Sequence, residues 1–156
     1  MTVTIDVSIS EKLISELAES DDDVPKPELI QAWATAAYLD DVPAIASVYI
    51  TTPEEIQQLN KQYRDKDSAT NVLSFPMQSP DEVDICLLGD IALCASVIKQ
   101  EAAQQSKSET SHWAHMVVHG MLHLQGYDHI EDDEAETMER EEIKILKQLG
   151  FSNPYK

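Results

Sequence analysis

The chain has 156 residues, of which 42% are hydrophobic, and its 29 acidic and 11 basic residues give a formal net charge of −18. This length predicts a single domain, residues 1–156, large enough to bury most of its apolar surface. No apolar run approaches the roughly 18 residues that span a membrane, and the N-terminus lacks the basic region of a signal peptide, so a cytoplasmic location is predicted. Free polyanions should be repelled overall, because neutralising phosphates provides most of their affinity.

The N-terminal part of the chain predicts a strand followed by two helices. Apolar and polar residues alternate over 3–9, which is typical of a half-buried strand. A short helix is predicted around 13–19, before an acidic loop. A second helix is predicted after Pro25 and Pro27. Its apolar face comprises Leu29, Trp33 and Ala36.

A second strand is predicted over 46–51 and is followed by a strong helix start. Thr52 can cap the helix, and Pro53 suits its first turn. Three apolar side chains of this helix are predicted to be buried: Ile56, Leu59 and Tyr63.

The remaining chain predicts two more strands and three more helices. The strands cover 71–76, ended by a proline, and 87–94. One helix covers about 96–105, and a second, which holds the histidines, begins near 108–111. The last helix ends near Gly150. The pattern therefore predicts an α+β fold with about four strands and about five or six helices.

All five histidines lie between His112 and His129. His119 and His123, four residues apart on a helix, would lie on one face about 6 Å from each other, close enough to bind one metal ion. Gly126 can end the helix in a left-handed conformation, and the turn would bring His129 round as a third ligand. Three protein ligands leave a tetrahedral ion one open position, which is typical of catalytic zinc. We therefore predict one Zn²⁺ ion, although nickel, copper and iron also accept nitrogen ligands.

The alternative is that these histidines are solvated or hydrogen-bonded within the core. Stacked imidazoles in an otherwise apolar helix would be costly to bury without partners for their nitrogens, which favours the metal. His115 is predicted to lie behind the ligands or to face the substrate. Asp128 either orients His129, holds a water on the metal, or is simply solvated at the turn.

The spacing of the three histidines also matches that of metzincin proteases. Those enzymes have a glutamate directly after the first histidine as general base. Gly120 occupies that position here and cannot transfer a proton. A metalloprotease therefore remains an alternative that lacks its usual base.

The run from His119 to His129 resembles the hallmark motif of the YbeY family, which comprises bacterial ribosomal-RNA maturation factors that resemble metal-dependent endoribonucleases. Two further blocks, 59–76 and 88–91, agree with the family, and the resemblance spans roughly 51–150. Ala69 and Asn71 depart from it, because proline and aspartate are frequent at those positions.

The resemblance implies a mixed sheet of about four strands with helices packed on it. It implies zinc on His119, His123 and His129, and hydrolysis of single-stranded RNA. The implied biology is maturation of the 3′ end of small-subunit (16S) ribosomal RNA and ribosome quality control. The implied partners are ribosomal RNA, the small ribosomal subunit and its proteins, whereas neither a membrane nor DNA is an expected physiological partner.

Arg64 is the predicted catalytic residue, because a guanidinium binds phosphate oxygens as a planar fork and stabilises developing charge. Lys61 and Lys66 flank it as further candidate contacts to RNA, whereas an ion pair of Arg64 with Asp65 or Asp67 is the alternative. What removes the proton remains open between metal-bound hydroxide, His115 and the 2′-OH of the RNA. A non-catalytic, metal-binding assembly factor is the remaining alternative to an enzyme.

Overall fold

The computed structural model describes residues 3–77, 85–128 and 131–155. In these residues the chain forms four strands and six helices, which confirms the predicted α+β fold. In chain order the elements are β1 (Val3–Ile9), α1 (Glu11–Ala18), α2 (Pro27–Ala36), β2 (Ala44–Thr51), α3 (Pro53–Arg64), β3 (Val72–Pro76), β4 (Cys86–Cys94), α4 (Ala95–Gln104), α5 (Glu109–Leu124) and α6 (Asp132–Gln148). None of the helices in these ranges is long and apolar enough to cross a membrane.

The strands form one mixed sheet in the order β1-β2-β4-β3. The pairs β1–β2 and β2–β4 are parallel, which requires crossover connections, whereas β3 runs antiparallel to β4. Strand β3 is therefore an edge strand of the described sheet, with α5 packed beside it.

Two hydrophobic clusters lie on opposite faces of this sheet. Helices α2 and α5 pack on one face and form the larger core. Helix α3 covers only part of the other face. The smaller cluster there comprises Ile56, Leu73, Ala92 and Cys94.

Two apolar residues do not lie as the predicted helix faces require. Leu29 is 45% exposed, and the buried face of α2 is instead formed by Ile30, Trp33 and Ala34, because the helix is rotated relative to the predicted stripe. Tyr63 is 61% exposed, because it lies in the last turn of α3 at the edge strand β3, where its ring packs against Phe75 and is mostly open to solvent.

Helix α5 packs directly against the sheet at Gly120. Gly120 makes this approach possible, since a Cβ atom there would lie 3.0 Å from a methyl group of Ile91 on β4. The Ser74 hydroxyl on β3 donates a hydrogen bond to the carbonyl of Gly120, at 3.1 Å. The histidine helix is therefore fixed against two strands.

Helix α3 ends at Asp65, whose φ of 57° is left-handed. The following loop folds back on the helix through two hydrogen bonds to the buried Asn60. Its side-chain Nδ2 donates to the carbonyl of Ser68 at 2.9 Å, and its backbone carbonyl accepts from the amide of Lys66 at 3.3 Å. This loop and β3 face the end of α5.

Candidate metal centre

His119 and His123 lie in the last two turns of α5, at the wall of a cleft of about 830 Å³. The cleft is bounded by the end of α3, the loop that follows it, β3 and the end of α5. Both imidazoles are half-buried, and the His119 side chain is 21% exposed. The described chain therefore presents both predicted ligands to one solvent-accessible cavity.

Hydrogen bonds fix the orientation of both rings. The Nδ1 atom of His119 lies 2.5 Å from a carboxylate oxygen of Glu142, and that of His123 lies 3.0 Å from the carbonyl of Tyr127. Because an ionised carboxylate and a carbonyl only accept hydrogen bonds, each Nδ1 must carry the hydrogen in the neutral ring. Each Nε2 atom is then left with a lone pair.

The two Nε2 atoms face each other at 3.0 Å. Two lone pairs at this distance repel unless a proton or a cation lies between them. Two nitrogen ligands of one tetrahedral zinc ion, each about 2.0–2.1 Å from the metal, lie roughly 3.3–3.4 Å apart. The observed separation therefore needs only a small adjustment to fit a metal ion.

The turn after α5 has the predicted form. Gly126 has a φ of 99°, and its amide donates to the carbonyl of His123 at 3.1 Å, while the amide of Tyr127 donates to that of Leu122 at 3.1 Å. The chain leaves the helix along the cleft, which Asp128 also lines. His129 lies outside the described residues, so its role as third ligand stays a prediction.

Sequence reasoning missed Glu142, a fully buried carboxylate on α6. It is bonded to His119 and to the hydroxyl of Tyr155, and one of its oxygens lies 3.5 Å from Nε2 of His115. Burial alone raises the pKa of the Glu142 carboxyl, but hydrogen bonds from the two histidines and their charge lower this pKa to about 2. The carboxylate is therefore ionised at neutral pH and orients His119.

A signal for Glu142 is present in the sequence. In the sequence, Glu142 falls in helical phase with three apolar residues of α6, on the stripe formed by Met138, Ile145 and Leu146. An acidic residue inside an apolar stripe is rarely buried without a partner. The nearby acidic residues of α6 concealed it by making the helix resemble a solvated surface.

His115, His119 and Glu142 also form a group whose ligand atoms all lie within 4.8 Å of one another, so they could hold a metal ion. The separation of 2.5 Å between His119 and Glu142 is that of a charge-assisted hydrogen bond. Two ligand atoms on one zinc ion lie farther apart, at roughly 3.3 Å. We therefore interpret Glu142 as a hydrogen-bond partner that orients a ligand.

His115 is 7% exposed and is absent from the described lining of the cleft. Its Nε2 atom lies 3.3 Å from the hydroxyl of Tyr155. His115 is therefore buried beside Glu142 and Tyr155, and its predicted role relative to the metal stays a prediction.

Arg64 and Lys66 line the same cleft as His119 and His123, whereas Lys61 is exposed on α3 and is absent from the described lining. Nη2 of Arg64 donates to the carbonyl of Ser74 at 3.4 Å. Among the described residues, no ion pair joins Arg64 to either neighbouring aspartate. The guanidinium is therefore held at the edge strand β3, in the cleft that His119 and His123 also line.

The close contact of Gly120 with Ile91 also bears on the protease alternative. Position 120 faces strand β4, so a side chain there would meet Ile91. A glutamate at this position would not point into the cleft. A metzincin-like general base is therefore missing at position 120, and the packing of this position against β4 would also keep a glutamate there out of the cleft.

A family model described as endoribonuclease YbeY matches residues 14–150. The chain belongs to this family. The endoribonuclease YbeY of Idiomarina loihiensis is 51% identical over 144 residues, which cover 90% of this chain and 88% of that protein. The solution structure of TM1509 from Thermotoga maritima is similar with a TM-score of 0.57 and 25% identity, over 98% of this chain and 99% of that chain. The family membership that the sequence motifs indicated is therefore confirmed.

Proposed function

We propose that this chain is a metal-dependent endoribonuclease that cleaves single-stranded RNA, with one zinc ion held by His119, His123 and His129. The observation that carries the proposal is the pair of Nε2 atoms facing each other at 3.0 Å in the cleft that Arg64 also lines. Membership of a family described as endoribonucleases supports the choice of RNA over peptide.

Different residues of the cleft would hold the metal ligands and bind the phosphodiester. When bound, the metal would supply Lewis-acid chemistry, polarising a phosphate oxygen or lowering the pKa of a water molecule. Glu142 and the carbonyl of Tyr127 hold the two rings, so no reorientation is needed on binding. Arg64 binds the phosphodiester and stabilises the charge that develops on its oxygens, and Lys66 adds to the positive potential.

The group that accepts the proton is chosen by position. His115 lies behind Glu142, which disfavours it as the base. Asp128 is the one carboxylate among the described residues that line the cleft. We assign this role to Asp128, which would take the proton from a water molecule or, if DNA of the same sequence is not cut at all, from the 2′-OH of the RNA as internal nucleophile.

The biological substrate in this proposal is the 3′ end of small-subunit (16S) ribosomal RNA, cleaved in the cytoplasm during maturation and quality control. A net charge of −18 predicts weak affinity for free RNA, so the small ribosomal subunit and its proteins are the expected partners. The whole chain, residues 1–156, acts as a single hydrolase domain.

The test compares wild type, Arg64→Ala, His119→Ala and Lys61→Ala, each supplied with zinc, on a single-stranded fragment of small-subunit ribosomal RNA, with and without chelator. Arg64→Ala should lower kcat by about 10²–10³-fold, as expected for loss of one charge-stabilising donor. Lys61→Ala is the matched control, because it removes a cation from the same helix outside the cleft, and it should cleave like wild type.

Equal cleavage by all four proteins would show that the activity belongs to a contaminating nuclease. Stoichiometric zinc without turnover by wild type would support the non-catalytic assembly factor. Cleavage of casein in the absence of RNase would support the protease.

A further inference from the structure

A second cavity, of about 930 Å³, lies on the face of the sheet that α3 covers incompletely. Its floor contains Ser47, Asp90 and Phe75, which are cross-strand neighbours on β2, β4 and β3. Ala92 on β4 also lines the floor, and its small side chain leaves space there. We call this cavity the aromatic recess, since Tyr49, Tyr63 and Phe75 line it.

Tyr63 forms the outer wall of the aromatic recess and is 61% exposed. Its ring packs edge-to-face against Phe75, with centroids 5.2 Å apart and an interplanar angle of 64°. Phe75 therefore restrains a ring whose surface is mostly open to solvent. Tyr49 is held too, because its hydroxyl donates to a carboxylate oxygen of Glu55 at 3.2 Å. Exposed, restrained aromatic rings are the surfaces on which single-stranded nucleic acids stack their bases.

The aromatic recess adjoins the metal cleft. Arg64, Lys66, Ser74 and Pro76 line both cavities. Strand β3 is thus a shared wall, and the guanidinium of Arg64 lies at its rim. When an RNA strand binds with one phosphate at Arg64, the nucleoside next to that phosphate can enter the aromatic recess.

Asp90 decides which part of a nucleotide the recess accepts. Its exposed carboxylate lines the floor and would repel a second phosphate. The same carboxylate can accept a hydrogen bond from an amino group, such as N4 of cytosine. The recess therefore combines an aromatic wall for a base with an acceptor for its amino edge.

We propose that the aromatic recess is a nucleobase subsite of the nuclease, which stacks the base next to the bound phosphate on Tyr63 and selects an amino-bearing base through Asp90. This inference rests on the proposed function, because it places the phosphate at Arg64.

The test is a double-mutant cycle on zinc-loaded protein with phosphorothioate-linked octacytidylate RNA. Tyr63→Ala should weaken binding by about 5- to 150-fold, the range for loss of one base–aromatic stack. Tyr63→Phe should bind like wild type, since stacking does not need the hydroxyl. Leu29→Ala, at another half-exposed helical position remote from both cavities, is the matched control and should also bind like wild type.

An abasic nucleotide is then placed at each position of the oligonucleotide in turn. At one position it should weaken binding to wild type as much as Tyr63→Ala does, and it should cause no further loss in that variant. Wild-type affinity of Tyr63→Ala for the intact oligonucleotide, or equal losses for both proteins at every abasic position, would overturn the subsite. Failure of wild type to bind any oligonucleotide would also overturn it.

The base preference tests Asp90. Wild type should bind octacytidylate more tightly than octauridylate, and Asp90→Asn should lose this preference. An unchanged preference would remove Asp90 from the subsite. If binding depends on Tyr63 but zinc-loaded wild type cuts no RNA, the nuclease proposal fails and the subsite stands. If Tyr63→Ala binds and cuts like wild type, the subsite fails and the nuclease stands.

Discussion

Helix α5 carries two pairs of histidines that the fold uses in opposite ways. His112 and His115 are buried, their Nε2 atoms are bonded to neighbouring side chains, and their Nδ1 atoms have no hydrogen-bond partner among the described residues. His119 and His123 line the cleft, with Nδ1 bonded and the Nε2 atoms facing each other. The two pairs therefore differ in the ring nitrogen that is hydrogen-bonded to the protein: Nε2 in the buried pair and Nδ1 in the pair at the cleft.

This difference determines what each pair can bind. A ring held at Nδ1 presents Nε2, the nitrogen farthest from the backbone, to whatever occupies the cleft. A ring held at Nε2 within the core has used that nitrogen already. Spacing along the helix does not distinguish the pairs, because His115, His119 and His123 follow one another at four-residue intervals. The hydrogen-bond acceptors supplied by other segments distinguish them.

The largest expected effect is loss of the metal from the cleft pair. His119→Ala or His123→Ala should reduce bound zinc from about one ion per chain to near zero, and cleavage should fall by more than the roughly 10–100-fold caused by removing a partner of a ligand. His112→Gln should keep its zinc. Metal analysis by mass spectrometry after gel filtration measures this. Equal zinc loss in all three variants would abolish the distinction between the pairs.

A smaller effect on zinc binding is expected when the hydrogen-bond acceptor of His119 is replaced. Glu142→Gln should weaken zinc affinity by about 10–100-fold, because a neutral amide polarises the ring less than a carboxylate does. Glu101→Gln is the matched control, since Glu101 accepts from His112 in the buried pair at 2.9 Å. Competition with a chromophoric chelator gives both affinities. Unchanged affinity in Glu142→Gln would show that the carboxylate does not support the metal.

Removing the metal should affect the two pairs unequally. With free zinc at about 100 times its Kd, chelation should lower the free energy of unfolding by roughly 2.7 kcal/mol. Amide hydrogen exchange should accelerate mainly over 119–128, whereas 109–115 should remain protected by the core. Uniform acceleration along α5 would indicate that the helix responds as one unit.

The smallest effect concerns the buried pair and pH. Burial lowers the pKa of His112 below 6.5, and the hydrogen bond that His112 donates to Glu101 offsets this only in part. Between the lowered pKa and 6.5 the unfolded chain binds more protons, so the free energy of unfolding falls as the pH falls through this window. One such group contributes at most about 1.4 kcal/mol per pH unit.

His112→Gln should flatten this decline. Urea unfolding of wild type and variant between pH 7.5 and 5 measures the difference between the two slopes. Parallel curves would show that His112 is not the group that titrates.

Local patterns predicted much of this molecule. Alternation identified β1, and the cap at Thr52, whose hydroxyl oxygen accepts from the amide of Glu55 at 3.4 Å, located the start of α3. The spacing of His119 and His123 predicted two imidazoles on one face, because a helix has a fixed period. These features depend on residues close together in sequence.

The remaining features depend on contacts that local patterns do not encode. Glu142 lies 23 residues from His119 and reaches it only because α6 packs on α5. Tyr63 has the helical phase of a buried residue but lies at the edge strand β3 beside an open cavity, where its ring remains 61% exposed. The order of the strands follows from tertiary pairing, so β3 as an edge strand became visible only in the structure.

Strand β3 has only five residues, yet its hydroxyl at Ser74 is tied to α5 and its carbonyl at the same residue receives Arg64. One residue thus couples the helix that carries the histidines to the side chain that would hold the phosphate. The distance between the histidines and the Arg64 guanidinium is therefore set by the position of strand β3, to which helix α5 and Arg64 are both hydrogen-bonded through Ser74. Variation of the loop at 66–71 can therefore alter what enters the cleft while the reactive distances are preserved.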